Sequence, residues 1–252
     1  MAGDHVPILL YHGVARGRAE GFDVSLDDFR RHMEAVAASG LTAVRISELA
    51  AGSAAAPVAI TFDDGTADFA DLAWPVLDEY GLSATLYVTS GAVGGHLEGR
   101  PMSSWRQLAE LRDGGVEIGS HSHEHVALDV VGVQRAALEL VNSKLVLEDR
   151  LGTPVDSFAY PYGYHTPAVK SLVQRVGYTS ACAVKNALSH RADDRFALAR
   201  STITAATTAA QVAELLAGRG APRSWSGERL RTRLWRSYRR ARSPRALLGV
   251  RV

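Results

Sequence analysis

The chain has 252 residues, 46% of them hydrophobic and 22% charged, a globular balance that excludes a disordered or fibrous protein and suits one large domain or two small ones. A single cysteine, Cys182, excludes an intramolecular disulfide framework, and its expected place is the core. The net charge of +1 hides an asymmetry: residues 218–252 hold eleven arginines and one glutamate, a net +10, which leaves −9 on residues 1–217.

The amino terminus, "MAGDHVPILLYHGV", has no basic region, and Pro7, Tyr11 and His12 interrupt its apolar run. It reads as a first strand, "PILLYHG", rather than a signal or a membrane span, so the expected setting is cytoplasmic or peripheral to a membrane. Ser25 precedes a helical pattern over "LDDFRRHMEAVAAS", with acidic residues in the first turn and Gly40 after the last. "LTAVRI" and "PVAITF" are the next strands. "ADFADLAWPVLDEYG" is a helix that Pro75 kinks or splits. "SATLYVT" is a strand, and a glycine-rich loop at 91–101 leads into the helix "SSWRQLAELRDGG". "VEIGSHS" is a strand with a polar end, residues 130–151 form a long helix, and "VDSFAYPYG" is a strand closing on a turn. "TPAVKSLVQRVG", "YTSACAV", "FALARSTI" and "AAQVAELLAG" supply a helix, two strands and a last helix.

Strands alternating with helices imply an α/β architecture with a largely parallel sheet. No glycine-rich dinucleotide fingerprint follows an early strand. The polar clusters "YHG", "FDDG", "SHSHEH" and "YPYG" fall at strand ends, the working face of a parallel barrel. Residues 1–217 are the expected catalytic domain and 218–252 an arginine-rich tail. Within the tail, Leu230, Leu234, Trp235 and Tyr238 recur at helical spacing among arginines, the pattern of a basic amphipathic helix. Two readings of it stay open, a helix docked on the acidic body and a contact to an anionic membrane surface; nucleic acid is not the expected partner.

Asp63 and Asp64 stand side by side at the end of an apolar run, an arrangement that repels itself unless a cation lies close. His121, His123 and His125 follow another strand. If the chain turns there, His121 and His125 share a face and His123 points away; in continued strand all three share one. Gly119 and the polar run favour the turn. Imidazoles with a carboxylate suit zinc with an open position, and one aspartate can bind the metal while its neighbour takes a proton from attacking water. Solvated loop histidines and a helix-capping aspartate pair are the plainer alternatives.

"TFDD" at 61–64, "HSHEH" at 121–125 and "YPYG" at 160–163 resemble the first three motifs of the polysaccharide deacetylases, the NodB-homology carbohydrate esterases. The resemblance covers roughly residues 6–205, and "VPILLYHGV" with "FAYPYG" resembles a subgroup that opens on a YHG strand. It implies a distorted (β/α) barrel of about seven units. It also implies Asp63 as general base, and Asp64, His121 and His125 as ligands of a divalent metal: zinc, with cobalt, nickel or manganese as alternatives. By the same resemblance Ser122 orients the loop, Pro161 shapes the substrate turn, and Tyr162 supplies a backbone N–H to the oxyanion and a wall of the groove. His123 falls on a variable position of the family.

Two positions depart from the family pattern. Ala159 stands where many members have an arginine that orients the base, and no histidine follows His190 to protonate the leaving amine. Arg200 is therefore expected to reach Asp63, and His12 to act as proton donor, with His165 or Asp63 itself as alternatives. Trp105 and Tyr164 are candidate sugar-stacking rings, with a core role the alternative for Trp105. The function implied is metal-dependent removal of the N-acetyl group from an amino sugar in a polysaccharide, oligosaccharide or lipid- or nucleotide-linked glycan. The alternatives are an amidohydrolase acting on a small non-sugar amide and a carbohydrate-binding pseudo-enzyme.

Overall fold

Seven short strands make the centre of the molecule: β1 (Ile8–Tyr11), β2 (Pro57–Phe62), β3 (Thr85–Val88), β4 (Glu117–Ser120), β5 (Ser157–Ala159), β6 (Ser180–Cys182) and β7 (Ser201–Thr202). The structure, a computed structural model, describes residues 5–225 and 230–242. The strands are all parallel in the order β6-β5-β4-β3-β2-β1-β7. The sheet curls until its edges approach each other. Leu198 exchanges backbone hydrogen bonds with Ala181 and Ala183 at 3.0 and 2.8 Å, while Ser201, three residues on, is in register with Leu9 of β1. This is the distorted (β/α) barrel anticipated from the sequence.

Helices α1 (Leu26–Ala38), α2 (Ile46–Ala50), α3 (Trp74–Glu79), α4 (Trp105–Asp113), α5 (Val133–Leu151) and α6 (Pro167–Val176) lie between these strands in the chain, and α7 (Ala209–Leu216) follows the last of them. Four of them start on a hydroxyl cap: the side chains of Ser25, Ser104, Thr166 and Thr208 each accept the N–H three residues on. Two segments differ from the sequence reading. "LTAVRI" keeps only Thr42–Ala43 as strand, beside the start of β2, because the Glu48 carboxylate accepts the Arg45 N–H at 2.9 Å and starts α2 at Ile46. "FALARSTI" is extended over 198–202 but forms strand only at Ser201–Thr202. Pro75 splits its segment: a π-helical turn, Phe69–Ala73, precedes α3, and Pro75 sits in the first turn, where a missing N–H costs little.

Period two sorts the strand residues onto two faces. Leu9, Tyr11, Ile60, Phe62, Leu86, Val88 and Phe158 belong to the larger core, together with buried residues of the helices. Ile8, Ala59, Tyr87, Ala159 and Cys182 form a second, smaller cluster. Ala59, Ala159 and Cys182 are small members of it, and Arg200, the largest fully buried side chain among the described residues, lies against its Tyr87. Position 63 continues the series Ala59–Thr61, so Asp63 is buried at the mouth of the barrel. On the other face of the sheet Tyr11 stacks on Phe62 at 5.1 Å, with Phe29 and Phe69 packed edge-on. Rings of this size stabilise by about 1.5–3 kcal/mol each on burial and fix the strand ends that carry His12 and Asp63.

The tail returns to the body. Residues 222–224 pair with Leu188 through backbone hydrogen bonds, so the charge boundary at 217/218 is not a packing boundary. Helix α8 (Leu230–Arg242) then docks through Arg236 and Arg239 on Asp129. Among the described residues no helix is long and apolar enough to cross a membrane.

Candidate active site

The C-terminal ends of β1, β2, β4 and β5 converge on a cleft of ≈ 520 Å³ whose lining includes His12, Asp63, Asp64, His121, His125 and Tyr162. Asp64 Oδ1 lies 3.5 Å from His121 Nε2 and 3.4 Å from His125 Nε2, and one ligand atom from each residue fits within a 4.8 Å span. His121 Nδ1 donates to the Ala159 carbonyl at 2.9 Å, which fixes the tautomer and leaves the Nε2 lone pair facing Asp64. Burial lowers the pKa of both imidazoles, that of His121 to about 3, so both are neutral and able to ligate. Burial, and then the Asp63 charge, push Asp64 up to about 6; a cation among the three ligands offsets both effects. Two neutral imidazoles and a carboxylate with an open side fit a divalent metal of the zinc type.

The loop that carries the histidines turns sharply. Ser122 and His125 have left-handed backbones (φ 65 and 56), and Ser122 Oγ accepts the His125 N–H at 3.0 Å. Glu139 of α5 is buried and accepts the N–H groups of His123 and Glu124 at 3.0 and 2.7 Å, while Arg135 pairs with it at 2.9 Å. The His123 ring is held 2.9 Å from Ser90 Oγ, away from the ligand cluster. Left-handed backbone away from glycine concentrates here: Asp64, Glu98, His125 and Tyr162, four of the six such residues among those described, line the cleft. Strain of this kind persists where surrounding structure over-determines it, as it does at working sites.

Asp63 is held from the opposite side. The Arg200 guanidinium, fully buried, donates to both carboxylate oxygens at 2.6 and 2.7 Å, and to Thr61 Oγ1 and the Ala183 carbonyl at 3.3 and 3.2 Å. Its planar face lies over the Tyr87 ring at 5.5 Å. Burial alone raises the Asp63 pKa, but the charges of Arg200 and His121 and the Arg200 hydrogen bonds outweigh it and hold the carboxyl at about 2. Arg200 thus gives Asp63 a guanidinium partner that Ala159, the position of the departure noted in the third motif, cannot supply.

The polysaccharide deacetylase family model matches residues 51–181. The chain belongs to the polysaccharide deacetylase family. Membership makes it a hydrolase of amide bonds in carbohydrate. The chain is 26% identical over 207 residues to the Bacillus subtilis (strain 168) protein YxkH, which is named as a polysaccharide deacetylase, an alignment covering 79% of this chain and 71% of that one. Among solved structures it resembles IcaB from Ammonifex degensii, with a TM-score of 0.73 and 25% identity over 85% of this chain and 97% of that one. It also shares its fold with the Streptococcus pyogenes deacetylase PplD, at a TM-score of 0.75 and 21% identity over 84% of this chain and 98% of that one.

The remaining sequence-derived candidates of this family member separate by place. His12 lines the cleft, packs tilted against Phe22 with ring centroids 4.9 Å apart, and has an Nδ1 that is buried without a hydrogen-bond partner. Pro161 is buried at the turn after β5, and Tyr162 projects from that turn, half exposed, with its ring 4.8 Å from His125. His165 stacks on Tyr160 at 4.6 Å and does not line the cleft. Cys182 is buried beside Tyr87, and burial pushes its thiol up to about 11, which makes it inert.

Trp105 is a correction. It does not line the cleft; it is a first-turn residue of α4, packed on the core with the Arg150 guanidinium over its ring at 5.7 Å. Trp105→Ala is expected to lower stability by about 2–4 kcal/mol and leave KM for glycans unchanged, as thermal unfolding and steady-state kinetics will show. Two contributors escaped the sequence reading. Glu139 carried a signal, a charge set beside the apolar series Ala136, Leu140 and Leu147 on α5; Phe22, 58% exposed at the cleft mouth, carried none.

Proposed function

We propose that the chain removes the N-acetyl group from an amino sugar within a glycan, releasing acetate and a free amine. The observation that supports this reading most strongly is a division of labour between neighbouring carboxylates. Asp63 is pinned by Arg200, whereas Asp64 faces His121 and His125 in the same cleft.

In this reading Asp64, His121 and His125 hold the metal, zinc being the first choice. A divalent cation held there would polarise the acetyl carbonyl and acidify the attacking water, which is what a base as weak as Asp63 requires. Asp63 takes the proton of that water as its oxygen attacks the carbonyl carbon. The backbone N–H of Tyr162, on the turn above His125, faces the developing oxyanion. His12 then gives a proton to the nitrogen as the carbon–nitrogen bond breaks, and its place in the cleft lining, which His165 does not share, supports that assignment over His165. Tyr162 and Phe22, exposed on the cleft walls, offer faces for the sugar ring.

The test is acetate release from N-acetylglucosamine oligomers before and after dialysis against a chelator. Release is expected to fall to background without metal and to return on adding zinc. Metal-independent release would remove the assigned role of Asp64, His121 and His125.

A further inference from the structure

We propose that the outer face of α8 is a second glycan-binding surface, which holds an acidic stretch of the substrate chain beside the sugar being deacetylated; this rests on the deacetylase reading above. The helix is anchored at the site rather than simply near it. Asp129, with a fully buried side chain, receives Arg236 at 3.1 Å and Arg239 at 2.5 Å. The Arg239 guanidinium also lies 4.3 Å over the ring of Tyr164, and Arg236 reaches the His165 carbonyl. Both contacts land on the loop that follows Tyr162.

Tyr164 joins two spaces. It lines the catalytic cleft, and it also lines a groove of ≈ 630 Å³ formed with Arg231, Thr232, Leu234, Trp235 and Tyr238 of α8. The rings of Trp235 and Tyr238 lie 5.2 Å apart and within 21° of parallel, and each is nearly half exposed. Paired rings of that orientation present a flat apolar face, the surface on which the C–H side of a pyranose packs. A glycan leaving the catalytic cleft past Tyr164 meets that face without crossing a gap.

Charge decides what kind of glycan. Arg236 and Arg239 pair with Asp129, but Arg231 and Arg233 stand exposed on a helix that has no acidic residue, and this positive face calls for carboxylate or phosphate groups. The catalytic cleft is the reverse, with Glu20, Asp23 and Glu98 on its lining beside Arg100. The two ends therefore orient a chain in one direction, its anionic groups along α8 and its newly freed ammonium at the acidic rim. An anionic lipid surface would meet the same arginines, but the shared wall at Tyr164 favours an occupant that also enters the cleft.

The test uses the full chain, with Trp235→Ala and Arg231→Gln. Titration calorimetry and acetate release are followed with a hexasaccharide of alternating glucuronate and N-acetylglucosamine, with chitohexaose and with chitobiose. Flotation with phosphatidylglycerol vesicles runs alongside. The acidic hexasaccharide is expected to bind wild type about tenfold more tightly than chitohexaose, and Trp235→Ala to weaken both hexasaccharides about tenfold, with a smaller loss for chitobiose. Arg231→Gln, or added salt, is expected to remove only the acidic advantage. Equal losses at both lengths, or unchanged binding of both hexasaccharides, overturns the proposal. So does vesicle binding that disappears in Trp235→Ala while hexasaccharide affinity holds. Binding that depends on Trp235 without acetate release from any glycan leaves the surface standing and removes the deacetylase reading; acetate release with a silent Trp235 does the opposite.

Discussion

Asparagine at position 63 is expected to lower acetate release by about 10²–10⁴-fold, the range a positioned proton acceptor contributes, while bound metal stays unchanged. The substitution keeps the size of the side chain and one oxygen for Arg200, and it removes the group that takes the proton. It also leaves the Arg200 guanidinium, fully buried, with part of its counter-charge gone. Breaking a buried pair from one side costs up to about 3–5 kcal/mol, so the unfolding midpoint should fall although the protein folds. Mass spectrometry of bound zinc, circular dichroism and acetate release together separate these effects. Asp64→Asn provides the contrast: it removes a carboxylate facing both histidines, so metal content is the first property it should lose. Two adjacent aspartates with the same phenotype would contradict the division of roles. A folded Asp63→Asn protein with normal turnover would show that another group is the base.

The legible parts of this molecule are those in which one local rule decides the outcome. "PVAITF" is strand from Pro57 to Phe62 because its apolar run is buried on both faces. Helix α1 begins after Ser25 because that side chain caps it. That Asp64, His121 and His125 come together was readable because "TFDD" and "SHSHEH" stand at strand ends, and parallel strands bring their ends together whatever lies between. What was not readable depends on contacts between distant segments. "LTAVRI" has strand composition, yet the hydrogen bond from Glu48 starts a helix at Ile46. Trp105 is packed on the core at the start of α4, with Arg150 of α5 over its ring, a neighbour almost fifty residues away in the chain. The left-handed backbones of Asp64, His125 and Tyr162 are set by the loops around them, since even Asp and His, which tolerate that conformation better than most residues, adopt it only uncommonly.

Arg200 is where sequence and structure bear on each other most directly, and its substitution should have the second large effect. Arg200→Met is expected to slow acetate release by about 10²-fold, because a base displaced by a fraction of an ångström no longer meets the water squarely. It also changes the pH profile. Burial raises the Asp63 carboxyl and Arg200 is the largest opposing influence, so without the guanidinium the pKa climbs from about 2. The acid limb of kcat/KM therefore moves to higher pH. In the wild type, the same depressed carboxyl stabilises the fold above its unfolded pKa, near 3.8, and that contribution is lost as the pH falls toward about 2. Arg200→Lys keeps the charge but cannot reproduce a two-pronged contact, so it should fall between wild type and Arg200→Met in both rate and pH limb. A double-mutant cycle then separates positioning from simple support of the fold. If Arg200 acts through Asp63, the Arg200→Met/Asp63→Asn protein is no slower than Asp63→Asn alone and is more stable than Arg200→Met, because it no longer buries a lone carboxylate. If Arg200 only supports the barrel, the two rate losses multiply and the acid limb of the single variant stays where it was.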